Sequence, residues 1–214
     1  MSAAAGRRRV SFRGRIAGTG STSGVRIVVG RWEESPLGSF ADAMVERPDG
    51  HRMLIAPNPD VVRFVAATYV FDEVRVEPIT ATKTGTGWAV RSDSLELDLE
   101  FGRPTLLGRL LRLVPRRVAE APWWCAATDP IARVVMRGVR TKGVIGERRE
   151  WYGATGHRKV VAASGSFEGT SLGAMADVLP APRFGFSSTP PRPSVTDVVT
   201  TIELDDGVPL VGPA

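Results

Sequence analysis

The sequence predicts a mainly β, single-domain protein: an antiparallel, closed or nearly closed β-cone or barrel with two or three short helices. Three observations carry this reading. Many short apolar runs alternate with Gly- and Pro-rich turns over the whole chain. One run, Leu95 to Phe101, alternates without exception, with Leu95, Leu97, Leu99 and Phe101 on one face and Glu96, Asp98 and Glu100 on the other. One wet face and one dry face is the antiparallel pattern. Finally, 214 residues with 43% hydrophobic and 24% charged side chains suit one large domain with a sizeable core.

The elements follow in order. Val10 to Ile16, Val25 to Trp32 and Asp42 to Arg47 read as strands, and 17–24, rich in glycine and hydroxyls, reads as a flexible turn. Asp42 to Arg47 and His51 to Ala56 flank Pro48-Asp49-Gly50, a hairpin signal because glycine supplies the positive φ that the turn needs. Asn58-Pro59-Asp60 opens a helix, with Asn58 as cap, Pro59 at the first position and Val61, Val62, Phe64 and Val65 as its apolar stripe. Tyr69 to Glu77 returns to strand. Lys83 stands at a hairpin tip before Leu95 to Phe101.

Pro104 to Val114 is an amphipathic helix with five leucines on its stripe and Arg109 and Arg112 to the other side. It is expected to close one end of the β-core; a membrane surface or partner is the alternative use of such a stripe. Ile131 to Val139 reads as a strand. Arg148 to Gly153 and His157 to Phe167 bracket Ala154-Thr155-Gly156 as a hairpin, and Ser164-Gly165-Ser166 reads as a bulge. A helical piece at Ser171 to Val178 and strands at Phe184 to Ser188 and Val195 to Leu204 complete the domain. The expected organisation is a flexible basic tail at 1–9, a ligand-cavity domain at 10–204 and a loose tail at 205–214.

Composition narrows the function. Cys125 is the sole cysteine, so no internal disulfide and no paired-cysteine metal site can form, and with only His51 and His157 in addition no metal is expected. No run approaches the ~18 apolar residues of a membrane span, and no apolar signal core follows Arg7 to Arg9. A cytoplasmic location without a membrane partner is therefore expected. The net charge of +5 rests on 25 arginines against three lysines. Interspersed acids make it an ordinary solvated surface. Arg7 to Arg15 and Arg109 to Arg117 are the basic stretches that an interaction or nucleic-acid-binding module would use, but no aromatics are interleaved with them as single-strand binders require.

Familiar catalytic signatures are missing: no phosphate loop, no dinucleotide fingerprint and no nucleophile elbow. No cofactor is implied. Carboxylates are the better candidates for chemistry. Asp42 and Glu46 share a strand face about 13 Å apart and either line a cavity mouth or form an outward polar row. His157 is a general base or an exposed histidine. Tyr69, Tyr152 and the tryptophans Trp88, Trp123, Trp124 and Trp151 form aromatic walls or core. Lys83, Lys142 and Lys159 lack the surroundings of an activated amine.

The run Leu37-Gly38-Ser39-Phe40-Ala41-Asp42, followed by a hairpin, a helix, Tyr69 and the alternating strand with Gly102 behind it, resembles the acetoacetate decarboxylase-like superfamily. The resemblance spans Val25 to Leu204. It implies a closed antiparallel β-cone around a cavity, with Phe40 and Asp42 at the places of an aromatic and an acidic site residue, Asp replacing Glu. In the family a Tyr-Pro-Lys-Lys type segment carries the lysine that forms a Schiff base. Here Tyr69-Val70-Phe71-Asp72-Glu73 stands in its place without a lysine, so imine chemistry is not expected. Phe40, Asp42, Glu46, Tyr69 and Asp72 are the expected cavity residues. A small organic molecule, an organic acid or an apolar compound, is the expected partner of a binding protein or a non-decarboxylating enzyme, and an oligomer is compatible with this reading.

Overall fold

The computed structural model describes residues 7–119, 121, 123–125, 127–128, 142–145, 148–185, 189–205 and 208–211. Their strands form one mixed sheet in the order β5-β4-β3-β2-β1-β13-β10-β8-β7-β6. The strands are β1 (Arg7–Ser21), β2 (Arg26–Glu34), β3 (Phe40–Glu46), β4 (Arg52–Ala56), β5 (Glu73–Val76), β6 (Thr80–Thr84), β7 (Gly87–Arg91), β8 (Leu95–Pro104), β9 (Lys142–Ile145), β10 (Arg148–Phe167), β11 (Thr170–Ser171), β12 (Met175–Ala176) and β13 (Ser194–Asp205). Helices α1 (Pro59–Ala66), α2 (Leu106–Leu113) and α3 (Arg116–Ala119) interrupt them.

The alternation of β8 is realised residue by residue, its leucines and Phe101 buried and its acids exposed. The hairpin at Pro48-Asp49-Gly50 joins β3 to β4, with Gly50 at φ +88°. Asn58 caps α1 as its residue type predicts: its side-chain oxygen accepts from the Val61 N–H at 3.0 Å. The Asn58→Ala variant is expected to lose about 1 kcal/mol, read as a lower urea midpoint with an unchanged slope.

Two clusters of buried side chains lie on the two faces of β2–β4. The first joins Val29, Ala43, Val45 and Ile55 to Leu95, Leu97, Leu99, Trp88 and Val160. The second joins Phe40, Leu54 and Ala56 to Phe12, Val61, Val65, Ile202 and Leu204. β1 and β13 run from one cluster to the other: Ala17 and Val195 belong to the first, Phe12 and Ile202 to the second. Register shifts at Arg13/Gly14 and Ala154/Gly156 fall between these halves, where a bulge bends a long strand.

Several expectations are corrected. The sheet is not purely antiparallel, because β5 returns beside β4 in parallel after α1. Nor is it closed by hydrogen bonds among the described residues; β5 and β6 are its outer strands. They are consecutive in the chain, joined by 77–79, and Pro78 has no N–H with which to continue a ladder. Tyr69 to Glu77 is strand only from Glu73, since the N–H groups of Thr68 and Tyr69 still bond to Val65 O at the end of α1. The hairpin expected at 154–156 is a bulge inside one strand, β10, because β13 pairs with it continuously from Arg148↔Leu204 to Lys159↔Ser194. Ser164-Gly165-Ser166, read as a bulge, keeps regular register with β8. The turn read at 17–24 starts only after Ser21, and Ser171 to Val178 holds the short β11 and β12 in place of a helix.

Both tails are shorter than expected. Arg7 to Arg9 pair with Glu203 to Asp205 in the sheet, and Val208 and Leu210 pack against the second cluster. Lys142 stands in β9. The strand read at Ile131 to Val139 lies outside the described residues, as do 186–188; Phe184 and Gly185 form a bend. No helix among the described residues is long and apolar enough to cross a membrane.

Candidate functional site

The face of β3 that meets the second cluster carries Phe40, Asp42, Met44 and Glu46. Asp42 is 3% exposed and pairs across the sheet with Gly30. A Cβ at Gly30 would lie 2.3 Å from Asp42 Oδ1 and 2.7 Å from Trp32 Nε1, so only glycine leaves room for the carboxyl. Trp32 Nε1 donates to Asp42 Oδ1 at 2.9 Å. Phe40, opposite Trp32, packs against it with ring centroids 6.2 Å apart, and Phe12 meets Trp32 edge-on at 6.0 Å. Asp42 forms no ion pair among the described residues, and burial pushes its carboxyl up to about 6 despite the Trp32 hydrogen bond.

A hydroxyl–carboxylate chain occupies the same side. α1 ends so that Thr68 and Tyr69 point toward β10, where Glu150 and Tyr152 share a strand face. Thr68 Oγ1 donates to Glu150 Oε1 at 2.8 Å, and Tyr152 OH donates to Glu150 Oε2 at 2.7 Å. The phenol oxygens of Tyr69 and Tyr152 are 3.2 Å apart; with the Tyr152 proton directed to Glu150, Tyr69 is the donor. Burial raises the Tyr69 phenol well above its ordinary value, with the charges of Glu150 and Asp42 adding to it. Tyr152 is raised for the same first reason, burial, and then by the nearby Tyr69 and Glu150. Both phenols are therefore neutral. Between Tyr152 on β10 and Phe12 on β1, Thr200 is their direct neighbour on β13. It is 4% exposed, and its hydroxyl has no hydrogen-bond partner among the described residues.

The structure thus brings together Phe40, Asp42 and Tyr69. It sets Glu46 and Asp72 apart. Glu46, buried with Arg26, is its cross-strand partner at 2.9 Å and accepts the Arg183 N–H at 2.6 Å. Neither an open cavity mouth nor an outward polar row describes it; it is an internal clamp on the 183 segment. Asp72 is a surface residue held by Arg52 through Nε at 2.9 Å, Nη2 at 2.8 Å and the backbone N–H at 2.9 Å, and these contacts hold its carboxyl well below the usual range.

Other candidates resolve individually. His157 is half-buried: Nδ1 meets Thr105 Oγ1 at 3.0 Å, Nε2 has no hydrogen-bond partner among the described residues, and burial lowers its pKa. Cys125 is buried and its thiol pushed up to about 11, the opposite of a reactive thiolate. Lys83 and Lys159 are exposed. Among the described residues, no group of three or more metal-ligating side chains is placed to hold an ion. Four of the five arginines of β1 are matched by acids: Arg7 and Arg9 by Glu203, Arg13 by Glu34, and Arg15 by Asp197.

Sequence reasoning missed Trp32, Glu150 and Thr200 as partners of the site. Two signals were available. Gly30 interrupts an otherwise apolar strand, which marks a close approach, and Glu150 and Tyr152 sit two apart on one strand, hence on one face.

No family model matches the chain, and no curated protein matches it. Two solved structures are similar. The acetoacetate decarboxylase of Legionella pneumophila subsp. pneumophila str. Philadelphia 1 aligns over 94% of this chain and 86% of its own, at 9% identity and a TM-score of 0.41. An AttH-like protein of Nitrosomonas europaea aligns over 94% of this chain and 52% of its own, at 10% identity and a TM-score of 0.29.

Proposed function

We propose that this protein binds a small, uncharged organic molecule bearing a hydroxyl or carbonyl group, at the cluster of Asp42, Tyr69, Tyr152 and Thr200 walled by Phe12, Trp32 and Phe40. The carrying observation is Asp42. A buried carboxyl without an ion-pair partner costs folding stability, and such groups concentrate at working sites. Thr200 adds a buried hydroxyl whose hydrogen-bonding capacity is unused. Aromatic walls with a few convergent polar groups are what small-molecule sites are made of. The charges of the cluster, Asp42 and Glu150, are both acidic, which favours a neutral ligand over the organic acid that the sequence also allowed.

A carboxyl titrating at about 6 also has the right pKa to exchange a proton near neutral pH. This supports a second reading, in which the ligand is a substrate and Asp42 its acid–base group. Lys83 and Lys159 are exposed strand residues and offer no buried amine for imine chemistry.

A matched set of probes tests the binding reading: cyclohexanol, cyclohexanone and cyclohexanecarboxylate, followed by calorimetry and thermal shift. The alcohol or ketone is expected to bind the wild-type chain and the carboxylate not to. Tyr69→Phe and Asp42→Asn are each expected to weaken binding about tenfold, the scale of one lost hydrogen bond. Binding that is unchanged in both variants contradicts the assignment.

A further inference from the structure

Helix α2 turns three of its five leucines away from the core. Its N-cap, Thr105, bonds to His157 through the backbone at 3.1 Å and through Oγ1. Gly108 is buried so close to β10 that a Cβ there would lie 2.1 Å from His157 O. That contact fixes which side faces the protein. At about 100° per residue, Leu106, Leu110 and Leu113 fall within one narrow stripe on the far side. They are 74%, 54% and 79% exposed. Trp123, further along the chain, is 62% exposed. Leu107 and Leu111, the other two leucines of the helix, are half-buried, so the core position expected from sequence for the five-leucine stripe fails for three of its five leucines.

The charge around the stripe identifies what fits it. Residues 102–119 contain five arginines and no acidic residue. Most arginines elsewhere are matched by carboxylates, whereas Arg103, Arg109, Arg112 and Arg117, like Arg8, Arg158 and Arg192, form no ion pair among the described residues, and only here do four such arginines fall within 15 residues of one another. A second copy docked here through a two-fold axis would bring these like charges together. An anionic bilayer surface satisfies both features, taking leucines at the headgroup–acyl boundary and arginines at the lipid phosphates. We propose that α2 is a peripheral contact site for anionic membranes.

Co-sedimentation of the full chain tests this with vesicles of phosphatidylcholine alone and of phosphatidylcholine containing one-quarter phosphatidylglycerol. Binding is expected to the anionic vesicles only, and to fall steeply with salt. Leu110→Asp with Leu113→Asp changes exposed positions, so the fold holds, checked by circular dichroism, and binding is lost. Arg109→Glu with Arg112→Glu weakens binding at least about twentyfold, near fivefold for each arginine removed. Equal or absent binding to the two vesicle types overturns the proposal, as does full binding by the leucine variant. A solution dimer that the leucine variant dissociates overturns it as well, since a second copy then covers the stripe.

Discussion

At about pH 8 the Asp42→Asn variant is expected to be more stable than the wild-type chain, by roughly 3 kcal/mol or 6–12 °C in Tm. The native carboxyl is raised from 3.8 to about 6, chiefly by burial. Between these values the native state holds more protons than the unfolded state, so stability falls as pH rises. The contribution is fully present below 3.8 and is lost as pH passes 6. Asparagine keeps an oxygen for Trp32 Nε1 and carries no charge, so it escapes that loss. The two proteins should therefore converge in stability near pH 4 and separate up to about pH 6, with a constant gap above. Urea denaturation of both across that range measures the gap. Parallel curves at all pH values contradict a buried, uncompensated Asp42.

Glu46→Ala is expected to act in the opposite direction, destabilising by about 3–5 kcal/mol. The substitution leaves the Arg26 guanidinium buried without its partner and removes the acceptor of the Arg183 N–H. Replacing both members, Arg26→Met with Glu46→Leu, recovers most of the loss, because it removes the uncompensated charge. Denaturant midpoints of the two variants separate these outcomes. A Glu46→Ala protein as stable as wild type, or no more damaged than the double variant, contradicts the clamp role. Two acids on one strand face, four residues apart, thus differ in kind: one is compensated and the other is not.

That difference marks the limit of what the sequence reveals. Local rules worked where local physics decides: the alternation of Leu95 to Phe101, the Pro48-Asp49-Gly50 turn and the Asn58 cap each need only neighbours in the chain. They failed where a distant partner decides. Ala154-Thr155-Gly156 looks like a turn until β13 runs beside it and holds it extended. Leu106, Leu110 and Leu113 of α2 look like core until Gly108 takes the contact side. In the candidate site, Phe40, Asp42 and Tyr69 were legible from residue type and order. Their partners Trp32, Glu150 and Thr200 come from three other strands, and no spacing rule links them to β3. Asp72 lies three residues after Tyr69 in the stretch that the family resemblance points to, but the end of α1 and the start of β5 carry the two apart, one inward and one to the surface.

Native mass spectrometry of the purified, untagged wild-type chain beside Asp42→Asn tests the central claim most directly. The account predicts a reproducible extra mass of a small neutral molecule on the wild type, lost on denaturation and absent or strongly reduced in the variant. An identical adduct on both proteins would contradict the assignment of Asp42 to a ligand site.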